Sequence, residues 1–318
     1  MGSATATAPS SPADRDVYGP EDRSPWLDVN WREHLRWLRI EGRRVNVMEM
    51  GEGPPLLLVH GHSGCWQNWL ENIPHFARTH RVIAPDLPGF GYSEMPAGGV
   101  SIEGYGRFLD ALCDELEVDS APVVGNSLGG FVGAELCLKF PQRVERLVLV
   151  AAAGLADRYI GLPSGVLRRK SVATFARAVN AYAGIPEARL ETLVRRPRLR
   201  KALLLVVAAH PDRLPAPMSM ELLRGSGRPA APEATDALLS YDFRDRLSEI
   251  ECPTLIVWGE KDRTVPVEGA DEYERLIPAS RKVIMNDTGH VPMVERPARF
   301  NALLEEFLSE DALARRLD

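Results

Sequence analysis

The stretch PVVGNSLGGFVGAELCLKF, residues 122–140, decides the fold. Pro122–Val124 is a short apolar run, the pattern of a strand buried on both faces of a parallel sheet. Leu128–Phe140 reads as a helix that stops at Pro141. The hexapeptide GNSLGG, Gly125–Gly130, joins them and fits G-x-S-x-G with Ser127 at its centre. That pattern carries chemistry in a strand–turn–helix context, which is the context here. Ser127 must occupy a strained turn for its hydroxyl to point into a cleft. Gly125 and Gly129 have no side chains to block the close approach of strand and helix. The helix start leaves backbone N–H groups unpaired and adds a positive potential.

Similar apolar runs lie on either side: Leu56–Val59, Val82–Ala84 and Leu147–Val150, then Thr254–Trp258 and Lys282–Met285 much later. Trp37–Ile40 and Val45–Met50 flank Glu41-Gly42 and predict a hairpin. Ile102, Tyr105, Leu109, Leu112 and Leu116 recur at helical spacing, with Ser101 as the cap. Strands alternating with helices predict an α/β fold with a mostly parallel central sheet flanked by helices. From Gly154 to Ile250 the alternation fails. Helical pieces are expected there at 166–182, 186–196, 202–209, 218–224 and 233–247. The segment 154–250 is therefore a helical insertion after the sixth strand, splitting a core of 25–153 and 251–318. Such insertions are tolerated thermodynamically and often act as lids. The polar start, residues 1–24, is expected to be a disordered leader.

Composition excludes several classes. The chain has 318 residues, 45% apolar and 26% charged, enough for a large core without a metal or disulfide staple. Its net charge of −6 gives no reason to expect nucleic acid as a partner. The longest apolar stretch, 147–156, falls short of the roughly 18 residues of a membrane span. The first residues have neither a basic start nor an apolar run, so no secretory signal is read there. Cys65, Cys113, Cys137 and Cys252 share no metal-ligand spacing, and reduced thiols in a cytoplasm are the expectation.

A serine hydroxyl is a poor nucleophile without a base. Of seven histidines, His290 in NDTGHVP follows the last core strand, at the edge where open α/β sheets build their sites. His75, His80 and His210 lack such a place. A carboxylate must then fix the imidazole tautomer. Asp262 in WGEKDRTVP is favoured over Glu260 and Asp157. HGHSG, His60–Gly64, follows the strand at 56–59, where a loop supplies one oxyanion donor. The N–H groups of His62 and Leu128 are assigned to that task. His60 and His62 have no third ligand nearby for a metal. RRPRLRK, residues 195–201, reads as a solvated basic face. Trp66 and Trp69 fit either a pocket wall or the core. Within Ala202–Ala209 some residues are expected to face a pocket.

With these motifs in order, the sequence resembles the α/β-hydrolase superfamily from about Trp37 to Phe307. The resemblance also includes DLPGFGYS (86–93) and GHVPMVERP (289–297). It implies that the insertion is a cap over the site, and that the nearest kin are capped esterases, C–C bond hydrolases and epoxide hydrolases. In that family an aspartate at the elbow marks epoxide hydrolases and haloalkane dehalogenases, so Ser127 disfavours both. Asn126 also precedes the nucleophile in hydrolases of vinylogous diketones. The expectation is a serine hydrolase cleaving a small-molecule carboxylic ester with an apolar acyl part, through an acyl-enzyme and without metal or organic cofactor. Cleavage of a vinylogous diketone, a lactonase, a cofactor-free haloperoxidase and a non-catalytic small-molecule receptor remain as alternatives. Oligomeric state is left open.

Overall fold

The structure, a computed structural model, describes residues 17–156, 158–163 and 187–314. The hairpin β1 (Leu35–Ile40) and β2 (Arg43–Met50) leads into β3 (Pro55–Val59), β4 (Arg81–Pro85), β5 (Ala121–Asn126) and β6 (Val144–Val150). After the insertion come β9 (Thr254–Gly259) and β10 (Ser280–Met285). One eight-stranded sheet has the order β1-β2-β4-β3-β5-β6-β9-β10. β1 pairs antiparallel with β2, and β2 with β4; the remaining pairs are parallel.

The central strands read as unbroken apolar runs because both faces are covered. Every residue of β5 and of β9 is buried. Successive residues then alternate between two cores. Val59, Val123, Leu149 and Ile256 pack with the helices Ile102–Glu115 and Leu128–Lys139. Leu58, Val124, Val150 and Val257 pack on the opposite face with Trp69, Phe300 and Phe307. Ser101 caps its helix as expected, accepting from the N–H of Gly104 at 3.0 Å.

The insertion departs from its sequence reading in detail. A small hairpin, β7 (Arg158–Tyr159) with β8 (Leu162–Pro163), precedes the helices. The helix expected at 166–182 lies outside the described residues. Helices run Glu187–Val194, Pro197–Leu204, Ala216–Arg224 and Ala231–Ser240. The one expected over 202–209 ends at Leu204, and a turn follows it, with the N–H groups of Val207 and Ala208 donating to Leu204 O at 3.0 and 2.9 Å. The one expected over 233–247 ends at Ser240. There Tyr241 donates its hydroxyl to the buried Glu135 and Phe243 packs on Phe131, and a short 3-10 turn, Arg244–Glu249, follows.

The leader also needs correction. Residues 1–16 are outside the described chain, but within 17–24 Tyr18, Gly19 and Ser24 are buried. Tyr18 is buried and Ser24 donates to the buried Glu71 carboxylate at 2.7 Å. No helix among the described residues is long and apolar enough to cross a membrane.

Candidate active site

β5 delivers the chain into the turn at Ser127, whose φ of 53° and ψ of −115° are sparsely populated for a non-glycine residue. Such a conformation costs about 1–3 kcal/mol and persists only where the surroundings impose it. Here they do. The Ser127 N–H donates to Val150 O at 2.9 Å, and Ser127 O accepts from the Ala153 N–H at 3.0 Å. The flanking glycines are required by contact distance. A Cβ on Gly125 would lie 2.2 Å from Gly129 O, and one on Gly129 would lie 2.2 Å from Val59 O. Asn126 ties the turn to its surroundings: its Nδ2 donates to Val150 O at 3.1 Å and to His290 O at 3.2 Å.

His290 and Asp262 come from the loops after β10 and β9. The His290 Nδ1–H donates to Asp262 Oδ2 at 2.7 Å. Asp262 Oδ1 accepts from the N–H groups of Thr264 and Val265 at 2.8 and 2.9 Å, so the buried carboxylate is held by three donors. With the proton on Nδ1, the lone pair of His290 is on Nε2. Glu260, the rival carboxylate, is exposed and accepts from the Asp287 N–H at 3.0 Å instead. Asp157, the other rival, is outside the described residues.

The loop after β3 approaches the same turn. A Cβ on Gly61 would lie 3.1 Å from Ser127 Cβ. The backbone N–H groups of His62 and Leu128 have no hydrogen-bond partner among the described residues. The His62 ring is partly buried against the insertion. Its Nε2–H donates to Ala231 O at 2.9 Å, with the Thr235 hydroxyl also 2.9 Å away. Its Nδ1 accepts from the Ser63 hydroxyl at 2.9 Å. Burial pushes this imidazole down to about 4, which keeps it neutral and preserves that tautomer. His60 is similarly engaged: Nδ1–H donates to Gly61 O at 2.8 Å, and Nε2 accepts from the Leu87 N–H at 2.9 Å.

These residues open on one cavity. Gly61, His62, Asn126, Ser127 and His290 line it from the core. Leu203, Leu204, Val206, Val207, Leu222, Leu223 and Leu238 line it from the insertion. Among the described residues no lysine or arginine lines it. The stretch 202–209 thus has the expected pocket-facing members. Trp66 and Trp69 belong to the core. In the basic run, Arg200 is turned inward, donating to the carbonyls of Val194, Pro211 and Asp212 at 2.6–2.9 Å. His75 and His80 lie beside Glu305, away from the cavity. His210 pairs with Asp287 at 2.7 Å, three residues before His290 in sequence. Lys261 also pairs with Asp287, and the hydrogen bonds from Lys261 and His210 hold that carboxyl down at about 2.

Two features escaped the sequence reading. Asn68 is buried and lines the cavity beside Gly64. Glu295, with a fully buried side chain, anchors the His290 loop by accepting from Gly289 N–H at 2.9 Å and Val291 N–H at 3.2 Å. Burial pushes Glu295 above the usual carboxylate value, while these donors oppose the shift. Its position five residues after His290, inside an otherwise apolar stretch, is a sequence signal for a buried, fully hydrogen-bonded carboxylate.

Fold and site together define an α/β hydrolase. The family model described as the alpha/beta hydrolase fold matches residues 54–297, and the chain belongs to that family. Within it, the chain is 30% identical over 283 residues to 2-hydroxy-6-oxo-2,4-heptadienoate hydrolase of Pseudomonas putida, covering 85% of this chain and 94% of that one. A solved meta-cleavage product hydrolase from Pseudomonas fluorescens is similar at a TM-score of 0.70 and 25% identity, covering 87% of this chain and 98% of that one. A bacterial membrane phospholipase A is similar at a TM-score of 0.67 and 28% identity, over 87% and 86% of the two chains.

Proposed function

We propose that this chain hydrolyses the carbon–carbon bond beside the ketone of a vinylogous diketone, with Ser127 as nucleophile. The observation that carries this reading is the similarity to the heptadienoate hydrolase, which covers 85% of this chain and 94% of that enzyme. The compound in that enzyme's name contains no ester or amide, so water can divide it only at a C–C bond.

In this reading His290 Nε2 takes the Ser127 proton as the hydroxyl oxygen attacks the ketone carbon. Asp262 holds the imidazole and stabilises its charged form. The N–H groups of His62 and Leu128 receive the developing oxyanion, a contribution of about 3–4 kcal/mol per donor in comparable sites. With the dienol in its keto tautomer, the C–C bond breaks and its electron pair passes through the conjugated chain to the distant carbonyl oxygen. That oxygen takes a proton from His290, giving a dienol. Water, deprotonated by His290, then frees the acid from Ser127. One substrate and one water give one carboxylic acid and one dienol. The insertion acts as the cap that supplies the apolar wall.

A carboxylic ester is the second reading, and one observation favours it. The leucines and valines that line the cavity suit an apolar acyl part. Both readings are tested by measuring kcat/KM for a coloured ring-fission dienol and for p-nitrophenyl esters from acetate to decanoate, with Ser127→Ala alongside. A dienol preference of tenfold or more, lost in the variant, is expected. Preference for an ester would replace the C–C assignment with the ester one.

A further inference from the structure

Glu295 receives hydrogen bonds from more than its own loop. The Ala209 N–H, in the middle of the insertion, donates to its Oε2 at 2.8 Å. The Tyr18 hydroxyl donates to the same oxygen at 2.8 Å and accepts from the His210 N–H at 2.9 Å. The next residue, Gly19, donates its N–H to the Glu295 carbonyl at 2.6 Å. Three separate parts of the chain therefore meet on one buried carboxylate: the N-terminal segment, the middle of the insertion and the His290 loop. The Tyr18 ring is seated by Arg213 and Arg296, at 4.7 and 5.5 Å from its centroid, and meets His210 edge-on at 5.2 Å.

We propose that Tyr18 is a positioning residue for His290, acting through Glu295. It lies outside the stretch 54–297 that matches the family model. The link is short. Glu295 grips the amides on both sides of His290, and the His290 N–H itself donates to Val207 O of the insertion at 2.9 Å. A carboxylate this deeply buried is fixed by its donors, and losing one leaves it free to rotate or to recruit another. The amides of Gly289 and Val291 would move with it, and His290 with them. Misplacement of a reacting group by an ångström costs up to about a hundredfold in rate.

The proposal rests on reading His290 as the general base, so its test needs a readout that does not depend on the substrate. Ser127 modification by a fluorophosphonate, followed by intact mass, supplies one beside kcat and KM. Tyr18→Phe keeps the ring and loses only the hydroxyl. It should slow both labelling and kcat by about tenfold and leave KM within about twofold. Ser24→Ala is the control. It removes a similar bond from the same segment to a buried carboxylate, Glu71, that does not hold the His290 loop. It should lower Tm by a few degrees, as Tyr18→Phe does, with labelling and kcat within about twofold of wild type. Labelling of Tyr18→Phe at the wild-type rate would overturn the proposal, as would equal slowing by Ser24→Ala. A wild-type protein that labels but hydrolyses neither substrate class would defeat the substrate reading alone, and the labelling comparison would still decide the role of Tyr18. An unreactive wild-type serine would overturn both.

Discussion

The two walls of the cavity are built differently. The core wall is made of sheet-edge turns whose polar groups are held by backbone donors and acceptors. Ser127 is pinned to β6, Asp262 by two amides of its own loop, and the His290 loop by Glu295. The insertion wall, among the described residues, is mostly leucines and valines on helices and on the turn that follows Leu204. Directional bonds fix atoms to within fractions of an ångström, which a reaction needs. Apolar packing fixes volume and polarity, which decide what enters. Changes to the core wall should therefore strike kcat by powers of ten. Changes to the insertion wall should strike KM, and more gently.

The largest effect is expected at the elbow. Ser127→Ala should lower kcat by about 10⁴–10⁶-fold with Tm essentially unchanged. A loss of less than a hundredfold on the preferred substrate would show that the serine is not the attacking group. Asp262→Asn should cost about 10⁴-fold in kcat at neutral pH, because the amide favours the wrong imidazole tautomer. If only KM responded, the carboxylate would belong to binding and the contrast between the walls would fail. On the other side, Leu222→Ala removes apolar wall. KM should rise by about tenfold, with kcat within threefold, consistent with about 1–3 kcal/mol for lost apolar contact. A thousandfold fall in kcat from this change would mean that the insertion helps to place reacting atoms.

The smallest effect concerns the joint between the walls. His62 has its pKa lowered by burial to about 4, from an ordinary 6.5. An unfolded chain binds a proton at His62 as pH falls through 6.5, while the folded ring refuses it until about 4. Stability contributed by the neutral ring is thus complete above 6.5 and drains away between there and 4. His62→Gln, which keeps a donor for Ala231 O, should flatten that decline. Melting curves at pH 7.5 and 5.0 would read it as a smaller fall in Tm than in wild type, and identical falls would refute the neutral ring.

The same contrast explains what the sequence reveals. Runs such as Val123–Val124 and Leu255–Trp258 announce their strands because both faces of the sheet are covered. The elbow is legible because its glycines answer to contacts within a few residues and to one neighbouring strand. Asp262 and His290 are legible as polar residues just past core strands, and the structure joins them at 2.7 Å. Helix ends in the insertion are less so. Nothing local at 241–243 reveals that Tyr241 reaches Glu135 and that Phe243 enters the core, which is what breaks the helix there. The docking of Tyr18 was hidden for the same reason. Its partner is 277 positions away, and a polar neighbourhood says nothing about a distant buried carboxylate.

The central claim is that Ser127 forms an acyl-enzyme at the meeting point of the two walls. Rapid quenching of wild-type protein during turnover of its preferred substrate, with intact mass and peptide mapping, tests it most directly. The account predicts a transient adduct with the mass of the substrate's acyl half, on Ser127 and absent from Ser127→Ala. An adduct on another residue, or undiminished turnover by Ser127→Ala, would contradict it.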